Sequence, residues 1–241
     1  MLHLGNEKSS SRNIVVIHQP DFLSYLGFFH RLLYANLYIA LDDVQYVSSS
    51  RSWTNRDKIK TQNGERWLTV NVEKSPRDTA INQIKVSNSV DWKKQNLDLL
   101  KHNYRKSQYF DEIFPYLEEL YAENIEKLAD FNMASISMLL ELFDIKIDIK
   151  RSSNLKTLKT KSERLVDILI KVDATHYLSG MGAKDYHKDK PFNDANIEVI
   201  WQDFKHPTYP QRHGDFIQCL SSIDLFFNCG IEKSREILRS C

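Results

Sequence analysis

Two groups of polar side chains directly follow apolar stretches near the start of the sequence. His18 and Gln19 come after the apolar run 14–17, and Asp42 and Asp43 come after the run 37–41. A histidine can move a proton near neutral pH or stabilise the charge of a phosphate. A carboxylate can act as a general base, accept a hydroxyl group of a ligand or hold a metal ion. These four residues are the first candidates for chemistry.

Both groups also have a purely structural interpretation. A histidine at a strand end can pack against the sheet, and aspartate is a common turn residue. In an extended segment two adjacent side chains point to opposite sides, so at most one of Asp42 and Asp43 would face a ligand directly. The residues alone leave both interpretations open.

A basic and aromatic segment follows at 51–58. It carries Arg51, Trp53, Asn55 and Arg56, and Tyr46 lies just before it. Arginine forks bind phosphate through paired hydrogen bonds, and an aromatic face can stack on a base or a sugar. A charged hairpin edge that prevents aggregation is the alternative. The exposed tryptophan that this alternative requires favours the ligand-binding interpretation.

Two later segments carry weaker signals. Gly180 lies in the sequence SGMGA, which resembles a loop that lets a phosphate approach the backbone but is equally typical of a structural turn. His206, Tyr209 and Gln211 lie in an extended segment that contains two prolines. The sequence has no Walker A loop, GxGxxG fingerprint, HExxH helix or GxSxG elbow. Several common enzyme classes are thereby excluded.

The surrounding pattern predicts elements that would bring these residues together. The runs 14–17 and 37–41 are predicted strands, and 22–37 is a predicted helix that Asp21 would cap. Because parallel strands place their carboxyl ends at one edge of a sheet, we expect His18 and Asp42 to share a cleft, with Gly180 on its rim.

The rest of the chain continues the alternation of strands and helices. The Asn-Gly turn at 63–64 predicts a β-hairpin, and residues 90–143 are predicted to form a central helical block. Further strands are predicted at 81–86, 145–149, 175–179 and 197–201, and further helices at 163–172 and 215–227. The predicted fold class is α/β, with a mostly parallel sheet, a β-hairpin excursion and the helical block.

Length and composition set the remaining limits. The 241 residues suit a single α/β domain over 14–241 with a helical insertion at about 90–143, after a disordered leader at 1–13. The net charge of +1 gives no electrostatic case for nucleic acid or an anionic membrane surface. No apolar run reaches the length of a membrane helix, so we expect a cytoplasmic protein. The three cysteines show no metal-binding spacing and are expected to be reduced.

Several blocks together resemble the WbqC-like protein family. They are HQPDFL at 18–23, LDDVQY at 41–46, RSWTNR at 51–56, WLTV at 67–70, YLSG at 177–180, HPxYxQ at 206–211 and LSxID at 220–224. The resemblance spans about 14–230. It departs from the family at Ser24 and Asn71, where the family often has proline.

The resemblance implies a role in O-antigen or other surface-polysaccharide synthesis. The family is expected to add an acyl or aminoacyl group, such as glycine, to the amine of a nucleotide-linked amino sugar. A weaker architectural likeness, an early strand with a histidine-bearing turn, points to nucleotidylyl-transferase-like folds, although their HxGH motif is absent. ATP or another activated acyl donor is expected; it would be an acyl-adenylate, a thioester or, less in keeping with the net charge, a charged tRNA.

On this hypothesis the candidate residues take definite roles. The base would be His18, Asp42 or Asp43, and Asn55 or Gln19 would stabilise the developing oxyanion. The predicted substrate-binding residues are Gln19, Tyr46, Arg51, Trp53, Arg56, Gly180, His206, Tyr209 and Gln211, and no metal ligand is predicted. The alternatives are a noncatalytic nucleotide-sugar-binding or scaffold protein, and a metal-dependent hydrolase or nucleotidyltransferase that uses Asp42 and Asp43.

Overall fold

A five-stranded parallel sheet organises the part of the chain that the computed structural model describes, residues 12–47 and 52–241. Its strands are β1 (Ile14–His18), β2 (Leu37–Ala40), β5 (Asp148–Arg151), β6 (His176–Ser179) and β7 (Glu198–Trp201). The spatial order is β5-β2-β1-β6-β7, and each neighbouring pair is parallel. The predicted α/β class with a mostly parallel sheet is confirmed. Residues 1–11, most of the predicted leader, lie outside the described part.

Apolar side chains cover both faces of this sheet. Val15 and Ile17 point to one face, where they pack with Ile168 and Leu169. Val16 points to the other face and joins a larger core that extends into the helices. This alternation follows from the two-residue period of a strand, and burial of both faces explains why β1 is a continuous apolar run.

Seven α-helices surround the sheet in the described residues. They are α1 (Leu26–Leu33), α2 (Trp92–Tyr104), α3 (Phe110–Ala122), α4 (Leu128–Phe143), α5 (Lys161–Lys171), α6 (Asp189–Asp194) and α7 (Ser222–Arg239). Helices α2 to α4 form the predicted helical block. The same core cluster contains residues of this block, of the sheet and of α7, so the block shares their hydrophobic interior.

The predicted hairpin is present as β3 (Arg56–Thr61) and β4 (Gly64–Thr69), paired antiparallel. Gly64 takes a φ of +89°, a conformation that the turn requires and that glycine adopts without strain. Asn55 continues the pairing by one residue, since its carbonyl accepts the amide of Val70.

Three sequence predictions about the elements are wrong. The first helix begins after Tyr25 and not after Asp21, because Leu23 has a φ of +43° and interrupts any helix there. Residues 81–83 form a turn of 3-10 helix in place of a strand. The last helix begins at Ser222, seven residues later than predicted, and continues to Arg239.

Gly230 divides that last helix into two parts. Its φ of +74° and ψ of +174° are not helical, and a Cβ there would lie 2.6 Å from the ring of Tyr109. Only glycine meets both conditions without rearrangement. The three cysteines are free, and in the described residues no helix is long and apolar enough to cross a membrane.

Candidate functional site

The sheet changes its direction of growth between β1 and β6. From β1 the chain adds β2 and then β5 on one side, and later adds β6 and β7 on the other. Open α/β sheets bind ligands at such a switch point, outside the carboxyl ends of the two strands, because the connections diverge there and leave a gap. A crevice of about 560 Å³ occupies this position; His18, Tyr25, Arg31, Ser179 and Gly180 are among its lining residues. We call it the switch crevice.

A second cavity of about 320 Å³ adjoins the crevice. It contains His18, Asp21, Tyr25, Trp53 and Asp57, and shares His18 and Tyr25 with the crevice. We call it the acid pocket, because two carboxyl groups lie in it. The turn after β1 supplies Asp21, and β3 supplies Asp57.

Asn132 of α4 joins the two segments that form the acid pocket. Its amide group is fully buried and donates to the carbonyl of Pro20 at 2.7 Å and to that of Thr54 at 2.6 Å. Pro20 immediately precedes Asp21, and Thr54 lies three residues before Asp57. A helix of the central block therefore fixes the distance between the β1 turn and the hairpin.

His18 lies between the crevice and the pocket, with 31% of its side chain exposed. Its Nδ1 is 2.9 Å from the carbonyl of Gln19, and because a carbonyl can only accept, Nδ1 carries the proton. Nε2 is then free to accept a hydrogen bond. Burial, together with the positive charge of Arg31, lowers the pKa of His18 to about 3, so the ring is neutral at pH 7.

The two carboxyl groups of the acid pocket hold protons unusually tightly. Burial raises the pKa of Asp21 to about 7, although the Thr54 hydroxyl and Arg31 act in the opposite direction. Burial also raises the pKa of Asp57 well above its ordinary value, and the charge of Asp21 adds to that effect. At neutral pH Asp21 can therefore exchange a proton, and in Asp57 burial favours the protonated form.

Arg31, near the end of α1, is only 5% exposed. Its Nε atom has no hydrogen-bond partner, and no carboxylate among the described residues forms an ion pair with it. The guanidinium lies 6.0 Å from the centre of the Phe28 ring and would touch a Cβ placed on Gly180. A buried arginine without an ion-pair partner is unusual, because removing the charge from water is unfavourable.

Asp42 and Asp43 lie at the neighbouring strand end in very different surroundings. Asp42 is 1% exposed, and its carboxylate accepts hydrogen bonds from the backbone amide of Ser153 at 3.0 Å and from its hydroxyl at 2.9 Å. Asp43 pairs with Arg164 and accepts the hydroxyl of Ser152. Neither residue lines the crevice or the acid pocket. The predicted single cleft therefore contains His18 and Gly180 but not Asp42.

The basic and aromatic segment lies beside the acid pocket. Trp53 is 40% exposed, its ring centre is 5.2 Å from that of Trp67, and it lines the pocket. Arg56 places its guanidinium 4.1 Å from the centre of the Trp67 ring and donates to the carbonyl of Ser52 at 3.2 Å. Arg51 lies outside the described residues.

The amide side chains near this segment make structural contacts. Asn55 donates to the carbonyl of Val70 at 3.1 Å, and Gln19 accepts the Thr54 hydroxyl at 3.4 Å. Tyr46 is 7% exposed, and its backbone amide donates to the carbonyl of Thr79. These contacts hold the 52–55 segment and the 44–46 segment in place.

His206, Tyr209 and Gln211 belong to a separate polar cluster. The Tyr209 hydroxyl donates a hydrogen bond to buried Asp224 at 3.0 Å. The side-chain oxygen of Gln211 accepts a hydrogen bond from the ammonium group of buried Lys60 at 3.2 Å. His206 accompanies them, with Nδ1 2.9 Å from the carbonyl of Pro207 and its pKa lowered by burial. The three residues line neither the crevice nor the acid pocket. Their contacts anchor the 206–217 segment to β3 and α7.

Three residues of the site were missed in the sequence. Asp21 was interpreted as a helix cap, Asp57 was not singled out in a basic stretch, and Arg31 lies in an apolar helix pattern. For Arg31 there was a usable signal: the helical period places position 31 in the core, where an arginine is unusual. The carboxyls gave no local signal, because their burial depends on α4 and the hairpin.

The fold and the site define a parallel α/β protein with a polar crevice at its switch point and a pocket of two protonatable carboxyls beside it. The sequence profile of the WbqC-like protein family matches residues 19–236, and the chain belongs to this family. It is also 30% identical over 229 residues to a protein of Mycobacterium tuberculosis named Uncharacterized protein Rv1507c, covering 94% of this chain and 98% of that protein. No solved structure matches the chain.

Proposed function

We propose that this protein forms an amide on the amine of a nucleotide-linked amino sugar, using an activated acyl or aminoacyl donor, in the synthesis of a surface polysaccharide. One observation carries the proposal: the acid pocket combines Asp21, whose pKa is about 7, with a neutral histidine and a second carboxyl, Asp57, whose pKa burial raises. The resemblance to a family expected to acylate amino sugars supplies the substrate class.

The first requirement of the reaction is a neutral amine. The amine reacts in its neutral form, and ionised Asp21 can take the proton that the nitrogen loses as the amide forms; a base with a pKa near the working pH does so efficiently. The Nε2 lone pair of His18 accepts a hydrogen bond from the same nitrogen and orients it. The nitrogen lone pair then attacks the acyl carbon, the new C–N bond forms, and the bond to the leaving group breaks with its electron pair.

The second requirement is stabilisation of the oxyanion that develops on the acyl oxygen. Asp57 is suited to this task because it is 3% exposed and burial raises its pKa, which favours the protonated form whose hydroxyl can donate. Its Oδ1 already accepts the amide of Lys58 at 2.6 Å, which leaves the other oxygen to carry the proton. This proposal places the oxyanion donor on Asp57 and the base on Asp21.

Recognition of the nucleotide is assigned to the rim of the acid pocket. The Trp53 and Trp67 rings, with Lys58 Nζ 5.1 Å from the centre of the second, form an aromatic and cationic surface. Such a surface can stack on a base or a sugar. The donor remains open between an acyl-adenylate made with ATP, a thioester and a charged tRNA.

The test is a donor panel with detection of the product by mass spectrometry. The full chain is incubated with nucleotide-linked amino sugars and, in separate arms, with an amino acid plus ATP, an acyl thioester or aminoacyl-tRNA. A mass increase on the sugar amine in any arm supports the proposal. Tight binding of the nucleotide sugar without a product in every arm would favour a noncatalytic binding protein.

A further inference from the structure

The switch crevice is lined by a buried cation that forms no ion pair with a carboxylate of the described residues. Arg31 is 5% exposed, its Nε has no partner, and no carboxylate in the described ranges pairs with it. Arg151 at the end of β5 and Arg164 of α5 both pair with aspartates. Arg31, by contrast, lines the crevice without such a pair.

The wall beside Arg31 is built mostly from small residues. At the end of β6 and directly after it, the crevice is lined by Ser179, Gly180, Met181, Gly182 and Ala183. A Cβ on Gly180 would lie 3.0 Å from Nη1 of Arg31, so a larger residue would displace the guanidinium. Glycine here leaves room for the guanidinium among the residues that line the crevice. Tyr25 also lines the crevice.

We propose that Arg31 and the Ser179–Gly180 wall form a phosphoryl-binding subsite at the switch point. The guanidinium offers paired donors that match the oxygens of a phosphate, and the crevice of about 560 Å³ is much larger than a lone carboxylate needs. The position outside the carboxyl ends of β1 and β6 is where open α/β sheets bind phosphorylated ligands.

This inference rests on the proposed function for its biological ligand but not for its test. The phosphoryl group has two possible sources, the pyrophosphate of a nucleotide-linked sugar and the phosphates of a nucleoside triphosphate. The subsite is connected to the acid pocket through His18 and Tyr25, which line both. A pyrophosphate in the crevice would place the attached sugar toward Asp21.

Binding is measured by calorimetry on the full chain with inorganic pyrophosphate, a nucleoside diphosphate sugar and a nucleoside triphosphate in separate arms. Arg31→Met is expected to weaken pyrophosphate binding by about 10- to 100-fold, the loss of a charge-assisted contact. Arg66→Gln, which removes one positive charge from an exposed position of β4, is the matched control and should leave the affinity unchanged. The source that binds more tightly to the wild type, and loses that advantage in Arg31→Met, identifies the ligand.

A melting curve separates binding from a structural role. Without a ligand, Arg31→Met is expected to melt at or above the wild-type temperature, because an unpaired buried charge is removed. With pyrophosphate, the wild type should gain stability and the variant should not. Equal affinity in both proteins, or acetate competing as well as pyrophosphate, would overturn the inference. Should Arg31→Met fail to fold, Arg31→Lys keeps the charge without the fork and is expected to bind pyrophosphate several-fold more weakly.

The two proposals fail separately. Pyrophosphate binding that depends on Arg31, without amide formation under any donor, would leave the subsite in place and refute the reaction. Amide formation with a pyrophosphate affinity that Arg31→Met does not change would support the reaction and refute the subsite.

Discussion

The carboxyl ends of β1 and β2 lie side by side, and both are followed by acidic residues, yet their surroundings are opposite. At β2, Asp42 and Asp43 are saturated by Ser152, Ser153 and Arg164. At β1, Asp21 has a raised pKa and Arg31 has no anionic partner in the described chain. The polar residues after β2 make structural contacts, whereas those after β1 line an open cavity.

The strand order explains this difference. β5 is the neighbour of β2, so the segment that leaves β5 crosses the end of β2 and brings Ser152 and Ser153 to Asp42. Between β1 and β6 the connections diverge, and the switch crevice occupies the gap. Polar residues at a strand end therefore indicate a site only when the adjacent connections leave them uncovered.

The largest expected effect is on turnover, after a substitution at the end of β1. Asp21→Asn removes the proposed base while keeping the size of the side chain, so the rate of amide formation should fall by about 10²–10⁴-fold. Product formation by mass spectrometry, with a melting curve on the same preparation, checks this. Near-normal turnover would remove Asp21 from the mechanism.

At the end of β2, where Asp42 already has its hydrogen-bond partners, a substitution should lower stability more than turnover. Asp42→Asn replaces an acceptor with a donor facing Ser153, and we expect the free energy of unfolding to fall by roughly 1–3 kcal/mol. Urea denaturation measures the change. Turnover of the folded variant should change far less than in Asp21→Asn; the reverse result would exchange the roles of the two strand ends.

The pH dependence of stability provides a third comparison. The pKa of Asp21 is raised from 3.8 to about 7, so the folded state favours the protonated carboxyl. The contribution of this carboxyl to the free energy of unfolding is fully present below about pH 4. It is lost as the pH rises to about 7, a change of up to about 4 kcal/mol. Relative to the wild type, Asp21→Asn should therefore gain stability between pH 4 and pH 8. Denaturation curves of both proteins at these pH values test the sign; a constant difference would mean an ordinary pKa.

The smallest effect concerns the wall of the crevice. Gly180→Ala would push the Arg31 guanidinium by a few tenths of an ångström, whereas a Cβ on Gly182 meets nothing within 4 Å. Pyrophosphate affinity should fall by about three- to tenfold in Gly180→Ala, since the charged contact is lengthened but not lost. Gly182→Ala should have the smaller effect. Equal effects on calorimetric affinity would indicate that the wall, not the arginine, determines binding.

The sequence predicted much of the fold because its signals are local. The apolar runs before His18 and Asp42 gave two sheet strands, and Asn63-Gly64 gave the hairpin. The first helix was misplaced because the left-handed conformation of Leu23 is imposed by its tertiary surroundings, where its amide meets Ser135 of α4.

The site was only partly predictable for a physical reason. His18, Trp53 and Gly180 were identified and lie around the two cavities. The sequence could not separate Asp42 from Asp21, because the order of strands decides which carboxyl is covered. Burial of Asp57 likewise depends on packing between the hairpin and residues far away in the chain, which no local pattern records.

The position of the site at the switch point also has a consequence for folding. β1 and β2 meet through contacts 22 residues apart, whereas β1 and β6 are joined through contacts 162 residues apart. In an unstructured chain, closing the longer loop costs about 2 kcal/mol more conformational entropy. Local pairings form before distant ones when this difference is decisive. A chain that has built only β1, α1 and β2 already contains His18 and Arg31, but the wall that gives them a crevice arrives only with β6.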